Sequence, residues 1–232
     1  MLVHKATTGS TNADAGALAR DGAPHGSAVW ADAQTDGRGR LGRTWESPPQ
    51  GNVYLSIVLR PTLPLDRVPL LCLGAAVVTA GVAGPHYRIK WPNDVQSPDG
   101  RKVAGILAEM ELERGALRHV IVGIGLNVNA APDLPTATSL LAVDGATRDR
   151  EGIVAALLDG LLSICADLER APDDVLARWR RASSTLGKHV RIGSIEGLAI
   201  DIDPTGALVV ATDHGVERVL AGDVEMVRRH DA

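Results

Sequence analysis

Residues 35–51, TDGRGRLGRTWESPPQG, most constrain the fold, because they form a long loop between two predicted strands of a compact chain. The segment holds four glycines and two prolines and shows no apolar period. Loops of this length are usually functional or disordered. Gly37 to Gly42 fits the G-x-G-x-x-G pattern of dinucleotide folds, but that pattern must open a helix, and Trp45 is followed by Glu-Ser-Pro-Pro. The context therefore argues against a dinucleotide-binding fold.

The same loop concentrates positive charge, since Arg38, Arg40 and Arg43 lie within six residues. Three guanidinium groups so close repel one another unless an anion or carboxylates compensate them. Arginine binds phosphate oxygens bidentately, glycine permits close approach of the backbone, and Trp45 offers a flat face to a base. These features favour a phosphate-containing ligand over the alternative, a solvated surface loop.

The overall composition limits the partners that the chain can attract. The formal net charge is −4, from 24 Lys and Arg against 28 Asp and Glu, so the whole molecule does not attract nucleic acid or anionic lipid. Cys72 and Cys165 lie far apart in apolar runs, which predicts buried reduced thiols. The apolar stretches fall short of the roughly 18 to 20 residues of a membrane span, which favours a cytoplasmic protein with no membrane partner.

Periodicity and turn residues predict two regions, one of mixed helices and strands and one of short strands only. Helices are predicted at 10–20, 66–83, 151–170 and 173–182, and strands at 27–34, 52–60, 87–91, 102–112 and 117–129. Ser97-Pro98-Asp99-Gly100 predicts the turn of a hairpin. After Gly187, five short β-like runs separated by glycines predict a small all-β barrel. At about 45 residues it is too small to be stable easily alone, so we expect it to dock on the larger domain.

Three further segments carry chemistry. In Lys90-Trp91-Pro92-Asn93-Asp94, the two charged residues could simply pair, or Asp94 could bind Mg²⁺ or accept a proton from an amine. Lys102 begins an apolar strand, either as a protective edge lysine or as a ligand-binding cation. The segment 123–127, GIGLN, is either a tightly packed strand or the wall of a ligand site.

Taken together and in order, these segments closely resemble those of the biotin protein ligases. The resemblance rests on Ser10-Thr11-Asn12, Gln34, GRGRLGRTW, KWPND, RKVAGIL with Glu109, and GIGLN. It implies an α+β fold, with a class II synthetase-like catalytic domain (residues 1–185) that has a mixed sheet and flanking helices, and a small C-terminal SH3-like β-barrel (residues 186–232). It also implies that ATP, with Mg²⁺, activates biotin to biotinyl-5'-adenylate. The biotinyl group would then pass to one lysine of a biotin carboxyl carrier protein.

The resemblance further implies which residues do this work. Biotin contacts are expected from Ser10, Thr11, Asn12, Gln34, Arg38, Gly39, Arg40 and Lys102. ATP or adenylate contacts are expected from Arg38, Arg40, Arg43, Trp45, Lys90, Lys102 and Asn127. Lys102, Arg40 and Asp94 would take part in catalysis, and Asp94 with Asn127 would lie near Mg²⁺.

Two alternatives to this function stay open. A lipoate or octanoate ligase has the same fold, but Arg38, Arg40 and Gln34 speak against it. An RNA-binding module would use the arginines to bind phosphates, and the net charge of −4 speaks against that. Some relatives also repress transcription through an N-terminal helix-turn-helix domain. Since nine residues precede Ser10 here, we expect no sequence-specific DNA binding and no nucleic-acid partner.

Overall fold

The computed structural model describes residues 1–48 and 51–227 and contains two sheets. The larger sheet has seven strands in the order β1-β2-β3-β7-β6-β5-β4. Its strands are β1 (Leu2–Lys5), β2 (Ala28–Ala31), β3 (Val53–Leu59), β4 (Arg88–Lys90), β5 (Asp94–Gln96), β6 (Lys102–Glu113) and β7 (Ala116–Leu126). β1 and β2 are parallel and the other neighbours are antiparallel, so the predicted mixed sheet is confirmed.

The described residues also form five α-helices and a second sheet. The helices are α1 (Thr11–Arg20), α2 (Leu70–Ala83), α3 (Leu140–Asp144), α4 (Arg150–Arg170) and α5 (Pro172–Ala182). The second sheet contains β8 (His189–Ile192), β9 (Ile195–Ile202), β10 (Leu208–Thr212), β11 (Gly215–Val219) and β12 (Glu225–Met226), in the antiparallel order β11-β10-β9-β8-β12. It matches the five predicted β-runs and is consistent with an SH3-like barrel, although the sheet is not closed.

The two faces of the large sheet differ in chemistry because side chains alternate along each strand. On β3, Leu55, Ile57 and Leu59 join the main core beneath α2, α4 and α5. Val58 points to the other face, where it packs with residues of α1. Ser56 has the same parity as Val58, so a hydroxyl is placed on the α1 face of a fully buried strand.

The central helix α2 is apolar on nearly all sides. By length and composition alone, the helical stretch Leu65–Ala83 would be long enough to cross a membrane, which corrects the expectation that the apolar stretches are too short. Ten residues of α2 are nevertheless buried in the protein core, against α4, α5 and the sheet. The stretch is therefore explained as a core helix. The predicted buried thiol is confirmed for Cys165, whose pKa burial raises to about 11, whereas Cys72 is half-buried.

The second sheet is docked on the helices, as expected for so small a unit. The apolar core is continuous, since side chains of β8, β9 and β10 belong to the same cluster as those of α2 and α5. Trp91 donates its indole N–H to the carbonyl of Gly206 over 3.1 Å. Arg180 of α5 donates to Asp201 over 2.6 Å and to the carbonyl of Ile202 over 2.8 Å. The division at residues 185 and 186 stays a prediction.

Sequence patterns predicted neither β1 nor α3. β1 is a half-exposed strand of four residues and α3 is a helix of five, too short for a periodic signal. The predicted strand 27–34 was too long, because regular pairing ends at Ala31. Residues 49, 50 and 228–232, which include parts of the predicted loop and barrel, lie outside the described residues.

Asp203 organises the turn before β10, and its removal should destabilise the second sheet. Its carboxylate accepts hydrogen bonds from Thr205 and Ala207 and pairs with Arg218. Burial raises the pKa of Asp203, but these bonds outweigh burial and hold the pKa below its usual range. We expect Asp203→Asn to lower the free energy of unfolding at pH 7 by about 1–3 kcal/mol, measured by urea denaturation.

Urea denaturation at low pH tests the direction in which the contribution of Asp203 to stability changes with pH. A lowered pKa stabilises the fold above the ordinary carboxyl pKa, and this contribution is lost as the pH falls through the lowered value. The gap between wild type and Asp203→Asn should therefore narrow below about pH 4. Asp213→Asn, at an exposed turn, is the control and should change stability by less than ~0.5 kcal/mol. An equal gap at pH 7 and pH 3 would contradict the assignment.

Candidate active site

A cavity of about 130 Å³ opens on the α1 face of the large sheet. Its walls come from the N-terminus of α1, the loop 37–45, the cavity faces of β6 and β7, and the segment that carries Asp223. All but two of the residues predicted from the sequence line this cavity: Ser10, Thr11, Asn12, Gln34, Arg38, Gly39, Arg40, Arg43, Trp45, Asp94 and Lys102.

One end of the cavity is a buried network of hydroxyl and amide groups. The backbone N–H of Thr11 donates to Gln34 Oε1 over 2.9 Å. Ser56 donates its hydroxyl to Asn12 Oδ1 over 2.6 Å and lies 2.8 Å from the Thr11 hydroxyl. Gln34 Nε2 donates to Ser47 over 2.9 Å. This bond extends the network to the loop that carries Arg38, Arg40 and Arg43, which we call the arginine loop. This end can therefore present both donors and acceptors to a small polar ring.

Glycines on the cavity face let other groups approach the sheet. Gly105 and Gly125 are cross-strand partners on β6 and β7, and the indole ring of Trp45 lies directly against both. A methyl group on Gly105 would be 2.8 Å from the Trp45 ring, closer than real contacts allow. Gly123 is covered in the same way by the side-chain amide of Asn12. The GIGLN segment is thus a wall of the cavity as well as a packed strand.

The arginine loop has more regular structure than expected. The Gly39 N–H donates to the carbonyl of Arg43 over 2.7 Å, and the Trp45 N–H donates to that of Gly37 over 2.8 Å. A tight turn closes this hairpin, with φ of 57° at Leu41 and 74° at Gly42. Such positive φ values favour glycine, which explains Gly42 at the tip.

Four cations line the cavity, and three of them have carboxylate partners. Lys102 Nζ lies 2.6 Å from Asp94 Oδ1 and 5.1 Å from the centre of the Trp45 ring. Arg43 is paired with Asp223, and this hydrogen bond holds the pKa of Asp223 below its usual range. The guanidinium of Arg38 is paired with Glu109 over 3.3 Å.

Arg40 differs from the other three cations. It donates to Asn93 Oδ1 over 3.1 Å and to the carbonyl of Gly222 over 3.5 Å, and both acceptors are neutral. The contact with Gly222 joins the loop to the segment that connects β11 and β12. Among the residues that the structure describes, Arg40 therefore has no carboxylate in direct contact, although its charge helps to lower the pKa of Asp223.

Two predicted residues are not brought to the cavity. Lys90 is half-buried on β4 and is not paired with Asp94, so the simple pair considered from the sequence is wrong. Asn127 is buried and donates Nδ2 to the carbonyl of Thr138 over 3.0 Å, while its Oδ1 has no partner among the described residues. The ligand roles of both residues stay predictions.

Comparison with known proteins decides the family. Residues 6–127 match the biotin/lipoate A/B protein ligase family, and residues 185–227 match the biotin protein ligase C-terminal domain. The chain belongs to the biotin/lipoate A/B protein ligase family.

Members of this family from several bacteria are similar over almost the whole chain. A biotin–[acetyl-CoA-carboxylase] ligase of Mycobacterium tuberculosis is 37% identical, over 96% of this chain and 88% of that protein. The bifunctional ligase/repressor BirA of Bacillus subtilis is 36% identical, over 97% of this chain and 74% of that protein. The structure of a biotin protein ligase from Aquifex aeolicus in complex with biotin and ATP superimposes with a TM-score of 0.79 and 29% identity, covering 98% of each chain.

Sequence reasoning missed several residues of this ligase's cavity. Ser56 and Asn93 hold other cavity residues, and Asp223 lines the cavity from the segment between β11 and β12. Ser56 could have been found from the sequence, because it is a polar residue inside the apolar run NVYLSIVLR. No local sequence signal pointed to Asp223, since it lies 180 residues from its partner Arg43.

Gly125→Ala should drive Trp45 out of the cavity, because the added methyl group would overlap the indole ring. The other three tryptophans are 6% exposed or less. Quenching of tryptophan fluorescence by acrylamide should therefore rise in this variant and report on Trp45. Gly81→Ala is the matched control, since a methyl group there meets nothing within 4 Å. Equal quenching in Gly125→Ala and wild type would refute the packing described.

Proposed function

We propose that this ligase joins biotin to ATP to form biotinyl-5'-adenylate and pyrophosphate, and then transfers the biotinyl group to a lysine of a biotin carboxyl carrier protein. One observation carries the proposal: the polar network of Thr11 and Gln34 lines the same cavity as Lys102 and the arginine loop. The named activities of the Mycobacterium relative and the biotin and ATP in the Aquifex complex support it. A cytoplasmic location is part of the proposal.

The polar end of the cavity suits the ureido ring of biotin. That ring presents two N–H donors and one carbonyl acceptor, so it needs a site with both kinds of partner. Ser10 occupies the N-cap position of α1 without making a capping bond, which leaves its hydroxyl for a ligand. Ser10, Thr11, Asn12 and Gln34 are accordingly assigned to the biotin ring. The backbone of Gly39 and the side chains of Arg38, Arg40 and Lys102 are assigned along the rest of biotin.

The first half-reaction brings two anions together. An oxygen of the biotin carboxylate attacks the α-phosphorus of ATP, the bond from that phosphorus to the bridging oxygen breaks, and pyrophosphate leaves. Lys102 and Arg40 offset the repulsion as charge develops at the new bond. Arg38 and Arg43 provide further positive charge for the phosphates, and Trp45 provides a flat surface for the adenine ring.

The second half-reaction needs a neutral amine. The lysine of the carrier attacks the biotinyl carbonyl, an amide bond forms, and AMP leaves. At an ordinary pKa of about 10.4, presenting the neutral amine at pH 7 costs about 4.6 kcal/mol. Asp94 lies in the cavity beside Lys102, 2.6 Å from its ammonium group, and is assigned to accept the proton.

Mg²⁺ fits this cavity in a limited way. Among the described residues, no group of three or more His, Cys, Asp or Glu side chains could hold a metal ion. Mg²⁺ is, however, commonly bound by one or two carboxylates together with substrate phosphates. Asp94 is the carboxylate assigned to it, and the predicted contribution of Asn127 would need its buried Oδ1 to become accessible. When bound, the ion would neutralise phosphate charge.

Calorimetry tests the function directly. We expect biotin to bind to the purified chain and lipoate not to bind. Addition of ATP and MgCl₂ should then yield biotinyl-5'-adenylate and pyrophosphate, and a carrier domain should gain one biotin by mass spectrometry. Adenylation of lipoate or octanoate but not biotin would overturn the proposal in favour of the lipoate-type alternative. Salt-sensitive binding of RNA without biotin binding would favour the nucleic-acid alternative.

Lys102→Ala should slow the first half-reaction severely. Removal of one electrostatic group at the developing charge typically costs about 10²–10³-fold in rate, and we expect a loss of that size in biotin-dependent ATP–pyrophosphate exchange. Arg101→Ala is the control, because Arg101 pairs with Asp99 in the preceding turn and does not line the cavity. Near-normal pyrophosphate release by Lys102→Ala would remove Lys102 from its assigned role.

Arg40→Gly should weaken retention of the adenylate. The variant loses the contacts that tie the loop to Asn93 and Gly222, so free biotinyl-adenylate should escape and react with any amine. The measurement is biotinylation of an unrelated lysine-rich protein present with the enzyme. Arg114→Gly, in a distant turn where φ is already 51°, is the matched control. Strict carrier specificity in Arg40→Gly would contradict the retaining role.

A further inference from the structure

Glu109 lies on the cavity face of β6 and joins two segments that the chain keeps far apart. Asn12, at the start of α1, donates Nδ2 to Glu109 Oε2 over 2.7 Å. Arg38, in the arginine loop, places Nη1 3.3 Å from Oε1 and Nη2 3.4 Å from Oε2. Both carboxylate oxygens of Glu109 therefore have partners. Through Asn12 the carboxylate contacts the polar network, and through Arg38 it contacts the arginine loop.

At the first end, Glu109 determines the direction of a chain of hydrogen bonds. A carboxylate only accepts, so it fixes Nδ2 of Asn12 toward itself and Oδ1 toward Ser56. Ser56 must then donate its single proton to Asn12. The 2.8 Å contact between the Ser56 and Thr11 hydroxyls consequently requires Thr11 to donate. Thr11 Oγ1 also lies 3.1 Å from Gln34 Oε1, which likewise only accepts, so the single proton of the Thr11 hydroxyl is shared between Ser56 and Gln34. The lone pairs of the Thr11 hydroxyl are left to accept an N–H from a ligand.

At the second end, Glu109 restrains the arginine loop. The Arg38 and Glu109 side chains are 42% and 39% exposed, so water screens their attraction. Exposed ion pairs contribute at most about 1 kcal/mol. The Asn12 bond is stronger, because Asn12 is buried and a charge-assisted bond contributes about 1.5–3 kcal/mol. Loss of Glu109 should accordingly affect the polar network more than the loop.

We infer that Glu109 is a positioning residue of the biotin-activating reaction, which orients the Asn12–Ser56–Thr11 hydrogen bonds toward the ureido ring and holds the loop over the adenylate through Arg38. The inference rests on the proposed function. Glu109 reaches the substrate only through other side chains. The same strand supplies a comparison, since Glu111 lies two residues further on the same face and pairs with Arg20 and Arg118, away from the network.

Two substitutions separate the two ends. Glu109→Gln keeps an oxygen that accepts from Asn12 but removes the charge that holds Arg38. We expect its Kd for biotin to stay within about threefold of wild type, while biotinyl-adenylate leaves the preformed complex up to about fivefold faster. Glu109→Ala removes both contacts. It should raise the Kd for biotin by about 10- to 100-fold, because the buried Asn12 amide loses its acceptor.

The controls distinguish positioning from stability alone. In an Arg38→Ala background, Glu109→Gln should not accelerate release further, because the partner is already gone. Glu111→Gln removes a neighbouring ion pair and should leave the Kd and the release rate unchanged. An unaltered Kd for biotin in Glu109→Ala, or equal release from Glu109→Gln and wild type, would overturn the inference. If wild type itself fails to bind biotin, the proposed function fails instead.

Discussion

The hydroxyl of Ser56 is fully buried in the middle of β3, where the strand's other side chains are apolar or aromatic. A buried hydroxyl without partners destabilises a fold by about 1–3 kcal/mol. Thr11 and Asn12 meet this need, so the first turn of α1 is held at one position above the sheet. From there the hydrogen bonds continue to Gln34 and onward to the loop. The cavity's polar end therefore depends on one side chain at the centre of the sheet.

The rest of the cavity depends on the difference between the two faces of the sheet. The face toward α2 and α4 is filled by leucine, isoleucine and valine, which supply the core. This packing frees the opposite face to carry Gly105, Gly123 and Gly125, although glycine weakens a strand by roughly 0.5–1 kcal/mol. Each glycine lets a functional side chain lie against the backbone, Asn12 over Gly123 and Trp45 over the other two. The apolar packing on one face of the sheet thus offsets the cost of the glycines that the cavity needs on the other face.

Local patterns explain how much of this could be predicted. α4, α5 and the β6–β7 hairpin have long periodic runs or clear turns, and the structure confirms them. The grouping of Thr11, Gln34 and Lys102 came from family resemblance, since nothing local to each residue joins them. The pairing of Asp94 with Lys102 depends on the register of β5 against β6, and the pairing of Arg43 depends on where the second sheet docks. Both arise only from tertiary packing.

That docking also decides how the positive charges of the cavity are shared. Lys102 and Arg43 are each held by a carboxylate, so a phosphate must share or displace an acidic partner there. Arg40 meets neutral oxygens of Asn93 and Gly222 among the described residues, so a phosphate can bind Arg40 without displacing a directly paired carboxylate. Because one of those oxygens belongs to the segment after β11, the second sheet orients the least compensated cation. A small docked sheet can thereby act on the chemistry of a cavity built mainly by the larger one.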